Sequence, residues 1–195
     1  MPDLDPTVFA IVLAAGGASR FGSTKQSALL DGVPLVRRAI DTAVGVCGNR
    51  VLTVIGHEAG TVFAAIGSEP CFVIVNENHD EGLGSSIAAA ARACHGNTDA
   101  LLLLLADQPL ITRQHLRALI ESWSGADDEI VASSYSGTEG PPVLFPRGAL
   151  QALESLTGDQ GAHALLHDRR FMLRTVSCEP AAVDVDTPAD LAALA

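Results

Sequence analysis

A chain of 195 residues, 48% hydrophobic and 18% charged, is long enough to bury one core and too apolar to stay unfolded, so one domain spanning 1–195 is expected. A formal charge of −11, with 12 basic residues among 23 acidic ones, excludes the broad positive face that a nucleic-acid backbone requires. Apolar runs such as 100–106 are far shorter than the roughly 20 residues of a membrane span, and Pro2, Asp3 and Asp5 stand where a signal peptide would be basic. The expectation is a cytoplasmic protein with neither a membrane nor a nucleic-acid partner.

In chain order, a first apolar strand is predicted over 8–14, ending in the stretch LAAGGASRFGSTKQ at 13–26. Here Gly16, Gly17 and Gly22 offer close backbone approach and positive φ, which turn successive N–H groups toward one point. Arg20 can pair bidentately with an anion, and Lys25 adds a point charge, so the loop has the parts of a polyphosphate clamp. It is neither a P-loop, since Gly22 is followed by Ser-Thr-Lys, nor a GxGxxG dinucleotide turn. A helix follows over 34–46, with Pro34 in its first turn. Strands at 50–55, 72–75 and 100–105 then alternate with helices at 58–66, 85–94 and 112–123, the last with Thr112 as N-cap.

Strands that are apolar throughout and separated by helices predict an α/β fold, a mostly parallel central sheet with helices on both faces. In such sheets ligands bind beyond the carboxyl ends of the strands, which selects the loops 14–25, 56–57, 76–84 and 106–111. Further on the pattern is less regular. Short strands are predicted at 130–133, 143–145, 173–177 and 182–185, with a last helix starting at Thr187-Pro188. Cys47, Cys71, Cys94 and Cys178 are scattered without a CxxC pair and read as reduced, buried thiols. His163 and His167, four apart, have no evident third ligand; His57, His79, His95 and His115 show no constellation.

Asp107 directly follows the most apolar strand, where a sheet presents a group to its cleft; it reads as a metal ligand or a helix N-terminal partner. Asp184 and Asp186 alternate through the predicted 182–185 strand region and face one way. In EGLGSS, Gly82 and Gly84 permit close backbone approach, while Ser85 or Ser86 could cap the next helix or bond a ribose or base.

The string L-A-A-G-x-x-x-R-x-G-x-x-K, together with NENHDEGLGSSI at 76–87, LLLLLADQPLIT at 101–112, GPPVLF at 140–145, LTGDQGAHALL at 156–166 and VDVDTPADL at 183–191, resembles the molybdopterin nucleotidyltransferases, and the molybdenum cofactor cytidylyltransferases in particular. The resemblance spans nearly the whole chain and implies a GT-A-like, Rossmann-like nucleotidyltransferase fold. It implies that Leu13, Ala14, Ala15, Gly16, Gly17, Arg20, Lys25, Gly82, Gly84, Ser85 and Ser86 bind the nucleotide. Arg20, Lys25 and Asp107 would be catalytic, and Asp107 and Asp186 would hold Mg²⁺, with Asp184 in reserve.

The implied reaction moves CMP from CTP to the phosphate of molybdenum-bound molybdopterin, yielding the cytosine dinucleotide cofactor and pyrophosphate. A phosphate monoester is largely dianionic at neutral pH, so it attacks without a general base. LAAG is the cytidylyltransferase form, whereas guanylyltransferases usually read LAGG. Gly140-Pro141-Pro142 replaces the more common Gly-His-Pro, and His163 stands where relatives often have Arg. Another phosphorylated acceptor, GTP as donor, or a non-catalytic cofactor carrier handing molybdopterin to a molybdoenzyme or its chaperone therefore stay open.

Overall fold

A computed structural model describes residues 6–17, 21, 24–96, 98–159 and 161–194. The first half follows the alternation read from sequence. It comprises β1 (Val8–Ala14), α1 (Leu35–Cys47), β4 (Val51–Ile55), α2 (Ala59–Ile66), β5 (Phe72–Val75), α3 (Leu83–Cys94), β6 (Ala100–Leu105) and α4 (Arg113–Ser122). A two-residue pair, β2 (Leu29–Leu30) with β3 (Val33–Pro34), precedes α1. The second half contains β7 (Glu129–Tyr135), β8 (Thr138–Pro146), α5 (Leu150–Glu154), α6 (His163–Leu166), β9 (Met172–Ser177) and α7 (Pro188–Ala192).

Seven strands form one sheet in the order β5-β4-β1-β6-β8-β7-β9. Every neighbouring pair is parallel except those made by β8, which runs against both β6 and β7. Alternate side chains of β1 supply the two halves of the core. Val8, Ala10, Val12 and Ala14 face α1, α2 and α4, while Ile11 and Leu13 face α3, α5 and α6. Both faces are therefore dry, which is why the strand sequences carry no polar alternation. Burying a side chain such as Ile40 or Leu119 at 0% exposure contributes about 1.5–3 kcal/mol each.

Two predicted local features take a different form. No strand spans 182–185: a 3₁₀ turn at Glu179–Ala182 leads into an extended segment whose Val185 N–H bonds the Asp107 carbonyl at 2.9 Å. Val185 itself is plugged, fully buried, between Leu30 and Leu35. The N-cap of α3 is Gly82 at φ +107°, with no side-chain cap, so neither Ser85 nor Ser86 caps that helix. Thr112 does cap α4, accepting the His115 N–H at 3.2 Å.

Candidate active site

Strand order reverses between β1 and β6: from β1 the chain moves to β4 on one side, and later returns to β6 on the other. Loops leaving those two carboxyl ends part and open a crevice at the switch point. A cavity of about 540 Å³ lies there. All four loops chosen from sequence reach it: Ala15, Gly16 and Gly17 after β1, His57 after β4, His79, Asp80 and Gly82 after β5, and Asp107 after β6.

Lys25 is the centre of this crevice's electrostatics. Its Nζ donates to Asp107 Oδ2 at 2.6 Å and to Asp186 Oδ1 at 2.8 Å, so one ammonium bridges a carboxylate from mid-chain and one from near the C-terminus. Its side chain is 13% exposed. Burial opposes the charge, but Asp107, through charge and a hydrogen bond, and then Asp186 outweigh it and hold the Lys25 pKa above the ordinary lysine value. The neighbouring Asp184 is pushed above the usual carboxylate range, chiefly by burial and then by the Asp107 charge. Asp186 is free for this contact because the α7 cap is built from other residues. Thr187 accepts the Asp190 N–H, and the Asp190 carboxylate accepts the Thr187 N–H in return.

Among the described residues, no cluster of three or more His, Cys, Asp or Glu side chains has a metal-binding arrangement. Two carboxylates sharing a cation are nevertheless a sufficient protein contribution to a divalent ion that takes its other oxygens from phosphates and water. The fit rests on one atom in particular. Asp107 Oδ1 is buried and has no hydrogen-bond partner among the described residues, an acceptor left without a donor on a carboxylate that lines this cavity. Lys25 is the cation lining the cavity among the described residues, against Asp80, Asp107 and Asp159. A polyphosphate entering that wall needs further positive charge. A divalent ion on Asp107 and Asp186 fits the need.

The β1 loop works differently from the sequence reading. Gly16 and Gly17 do not adopt positive φ; a Cβ would meet nothing nearer than 4.0 Å on Gly16 and 3.6 Å on Gly17, so neither position is crowded. Gln26 fastens the loop by donating to the Gly16 carbonyl at 2.8 Å, and its own buried Oε1 has no partner among the described residues. Arg20 and Gly22 lie outside the described residues. Leu13 and Ala15 line the cavity, whereas the Ala14 side chain is packed in the core on the opposite face of the sheet.

At the start of α3, a Cβ on Gly82 would lie 2.5 Å from the Gly158 carbonyl carbon, so that position must be glycine for the 158–159 loop to dock. Gly84 N–H bonds the Gly158 carbonyl at 2.9 Å and is structural rather than cavity-lining. Ser86 does line the cavity, its Oγ held 3.0 Å from the Asn76 Nδ2 donor. Ser85 is turned back onto its own loop, within 2.8 Å of the Asn78 and Gly82 carbonyls. Sequence reasoning missed Asn76, Asp159 and the pair His57 and His79. The two imidazoles stand edge to face with centroids 5.8 Å apart. Their positions after β4 and β5 were the available signal, because those loops had been marked as ligand-facing.

A smaller apolar cavity of about 100 Å³ adjoins the first, sharing Leu83 and Leu105 with it and reaching Pro141, Val143, Phe145 and His163.

Comparison with known proteins adds an independent line. Residues 10–175 match the sequence profile of the MobA-like NTP transferase domain. The chain is 32% identical over 200 residues to a protein of Paenarthrobacter nicotinovorans named nicotine blue oxidoreductase, covering 96% of each. Its fold is similar to the crystal structure of Rv0371c from Mycobacterium tuberculosis H37Rv, with a TM-score of 0.86 at 28% identity over 98% of both chains. It is likewise similar to the manganese complex of Rv0371c, with a TM-score of 0.80 at 28% identity, covering 96% of this chain and 97% of that one.

Proposed function

Because the chain belongs to the MobA-like NTP transferase domain family and is a nucleotidyltransferase, we propose that it transfers CMP from CTP to the phosphate of molybdenum-bound molybdopterin, releasing pyrophosphate. The observation that carries this reading is Lys25 bridging Asp107 and Asp186 at the switch-point cavity. With a divalent ion on the two carboxylates, these groups would bind and neutralise a polyphosphate without abstracting a proton, and a phosphate nucleophile brings its own charge.

Asp107 and Asp186 would hold Mg²⁺, an ion that lowers the charge on phosphate oxygens and so favours attack at the α-phosphate. Lys25, drawn to the triphosphate when the donor enters, stabilises the charge that builds on the departing pyrophosphate. The open Gly16–Gly17 backbone lets phosphates approach, and Arg20 is expected to reach them from the same loop. Gln26 holds that loop in place through Gly16. Asn76 fixes Ser86 at the nucleoside side. Ala15 supports CTP over GTP, its methyl narrowing the floor at the end of β1. The manganese complex of Rv0371c supports a divalent requirement here. The oxidoreductase name of the Paenarthrobacter relative describes that protein; the groups gathered around Lys25 support group transfer.

One observation favours a second reading of the acceptor. The adjoining 100 Å³ cavity is walled by Leu83, Pro141, Val143 and Phe145, with His163 as its polar group, which suits a phosphate monoester with an apolar body better than a pterin. Release of pyrophosphate from CTP, with Mg²⁺ and either molybdopterin or a panel of phosphorylated alcohols, decides between them. A protein that retains molybdopterin but releases no pyrophosphate under any of these conditions is a carrier, and the transferase reading fails.

A further inference from the structure

The geometry points to His57 and His79 as the pair that selects a pyrimidine over a purine base. This rests on the nucleotidyltransferase reading above and names which base its cavity admits. Three successive loops are locked together at this place. The His57 N–H bonds the Ala15 carbonyl at 3.1 Å, tying the loop after β4 to the end of β1. Gly56 lies so close to the β5 loop that an added Cβ would fall 2.5 Å from His79 Cβ and 3.0 Å from Ala15 Cβ. Glycine there draws His79 in against the β1 floor. Over Gly17, the His57 ring closes the opposite edge, 3.6 Å from where a Cβ would be. The loops cannot spread without breaking these contacts, so the gap the imidazoles border is set by the scaffold.

Charge then divides the cavity. Phosphates belong with Lys25 and the metal site, while Leu13 and Ala15 give the same cavity apolar surface at the end of β1. A planar heteroaromatic ring would be seated on this apolar surface, beside the imidazoles. The two imidazoles contact each other edge to face, and their ring nitrogens are the polar groups this wall offers a base. On this assignment a single pyrimidine ring leaves the T-shaped pair in place and a fused purine displaces one member. Size discrimination in a site of this kind is worth about 10- to 200-fold.

The test is kcat/KM for CTP and for GTP in the full-length protein with Mg²⁺ and one acceptor, paired with dissociation constants for both nucleotides so that binding is read without turnover. Wild type is expected to favour CTP. His79→Ala should lower the CTP:GTP ratio about tenfold, mostly through a gain with GTP, and His57→Ala should lower it through a loss with CTP. His79→Gln and His57→Gln, which retain an amide donor and acceptor, serve if an alanine variant fails to fold, and should shift the ratio less than alanine in a soluble protein. A ratio that neither substitution moves by more than about twofold, or a wild type that prefers GTP, overturns the inference while leaving nucleotidyl transfer standing. A wild type that binds neither nucleotide and transfers neither overturns the parent reading.

Discussion

Lys25 is a cation placed where two carboxylates would otherwise repel, and this gives it two separable duties. In the nucleotide-free protein it pairs with Asp107 and Asp186; in the proposed reaction its charge would be needed most as pyrophosphate leaves. Lys25→Ala should therefore lower kcat by about 10²- to 10³-fold with little change in KM, since the interaction is realised mainly in the transition state. A raised KM at unchanged kcat would assign Lys25 to ground-state binding instead. Removing the ammonium also removes a competitor for the Asp107 and Asp186 oxygens, so the variant should bind Mn²⁺ more tightly, by roughly tenfold, without nucleotide. Electron paramagnetic resonance of free Mn²⁺ measures this directly. Asp107→Ala should cut turnover by at least about 10²-fold while Tm moves by less than about 5 °C. The Val185 N–H is held by the Asp107 backbone carbonyl, which survives the substitution.

At the scale of elements, α7 is only five residues long and holds its start through a capping box. Thr187→Ala should cost about 1 kcal/mol of stability. It should also raise the Mg²⁺ concentration needed for half-maximal rate, because Asp186 leads directly into that cap and its N–H bonds the Asp190 carboxylate. A variant with the expected stability loss but an unaltered Mg²⁺ dependence would detach the cap from the site. The same segment marks the limit of what periodicity reveals. Val183 and Val185 alternating with Asp184 and Asp186 is the pattern of a half-buried strand, yet one buried valine in an extended linker produces it equally well. By contrast β1, β4 and β6 were legible because burial on both faces leaves near-continuous apolar runs, while the edge strand β5, with Phe72 and Val75 exposed, was legible from its short apolar run alone. The reversed direction of β8 was not legible, since hydrophobic runs carry no sense of direction. Its clue was the Ser136–Gly137 turn, with φ of 50° and 78°, which suits a two-residue hairpin. Asp107 and Lys25 could be found from strand ends and charge. His57 beside His79 depended on β4 lying next to β5, a matter of tertiary order.

At the scale of the whole molecule, the sheet separates two apolar layers that can be probed apart, because each contains a buried thiol. Cys47 sits in the layer of α1, α2 and α4, and Cys94 in the layer of α3, α5 and α6. Burial pushes each thiol from 9.0 up to about 11. The folded state thus keeps its thiol protons at a pH where the unfolded chain has begun to lose them. Stability from this source is complete below about pH 9 and disappears as pH rises through about 11; each thiol accounts for about 2 to 3 kcal/mol of that change. Lys25, also raised, loses its contribution in the same direction at the alkaline end. Urea midpoints measured from pH 8 to 11 should fall steeply in the wild type. Cys47→Ala and Cys94→Ala should each flatten the curve, whatever their cavity does to stability at pH 8, since an alanine has no proton to lose. Equal flattening would mean that both layers exclude water alike, and an unchanged slope in either variant would mean that its layer admits solvent before the sheet unfolds.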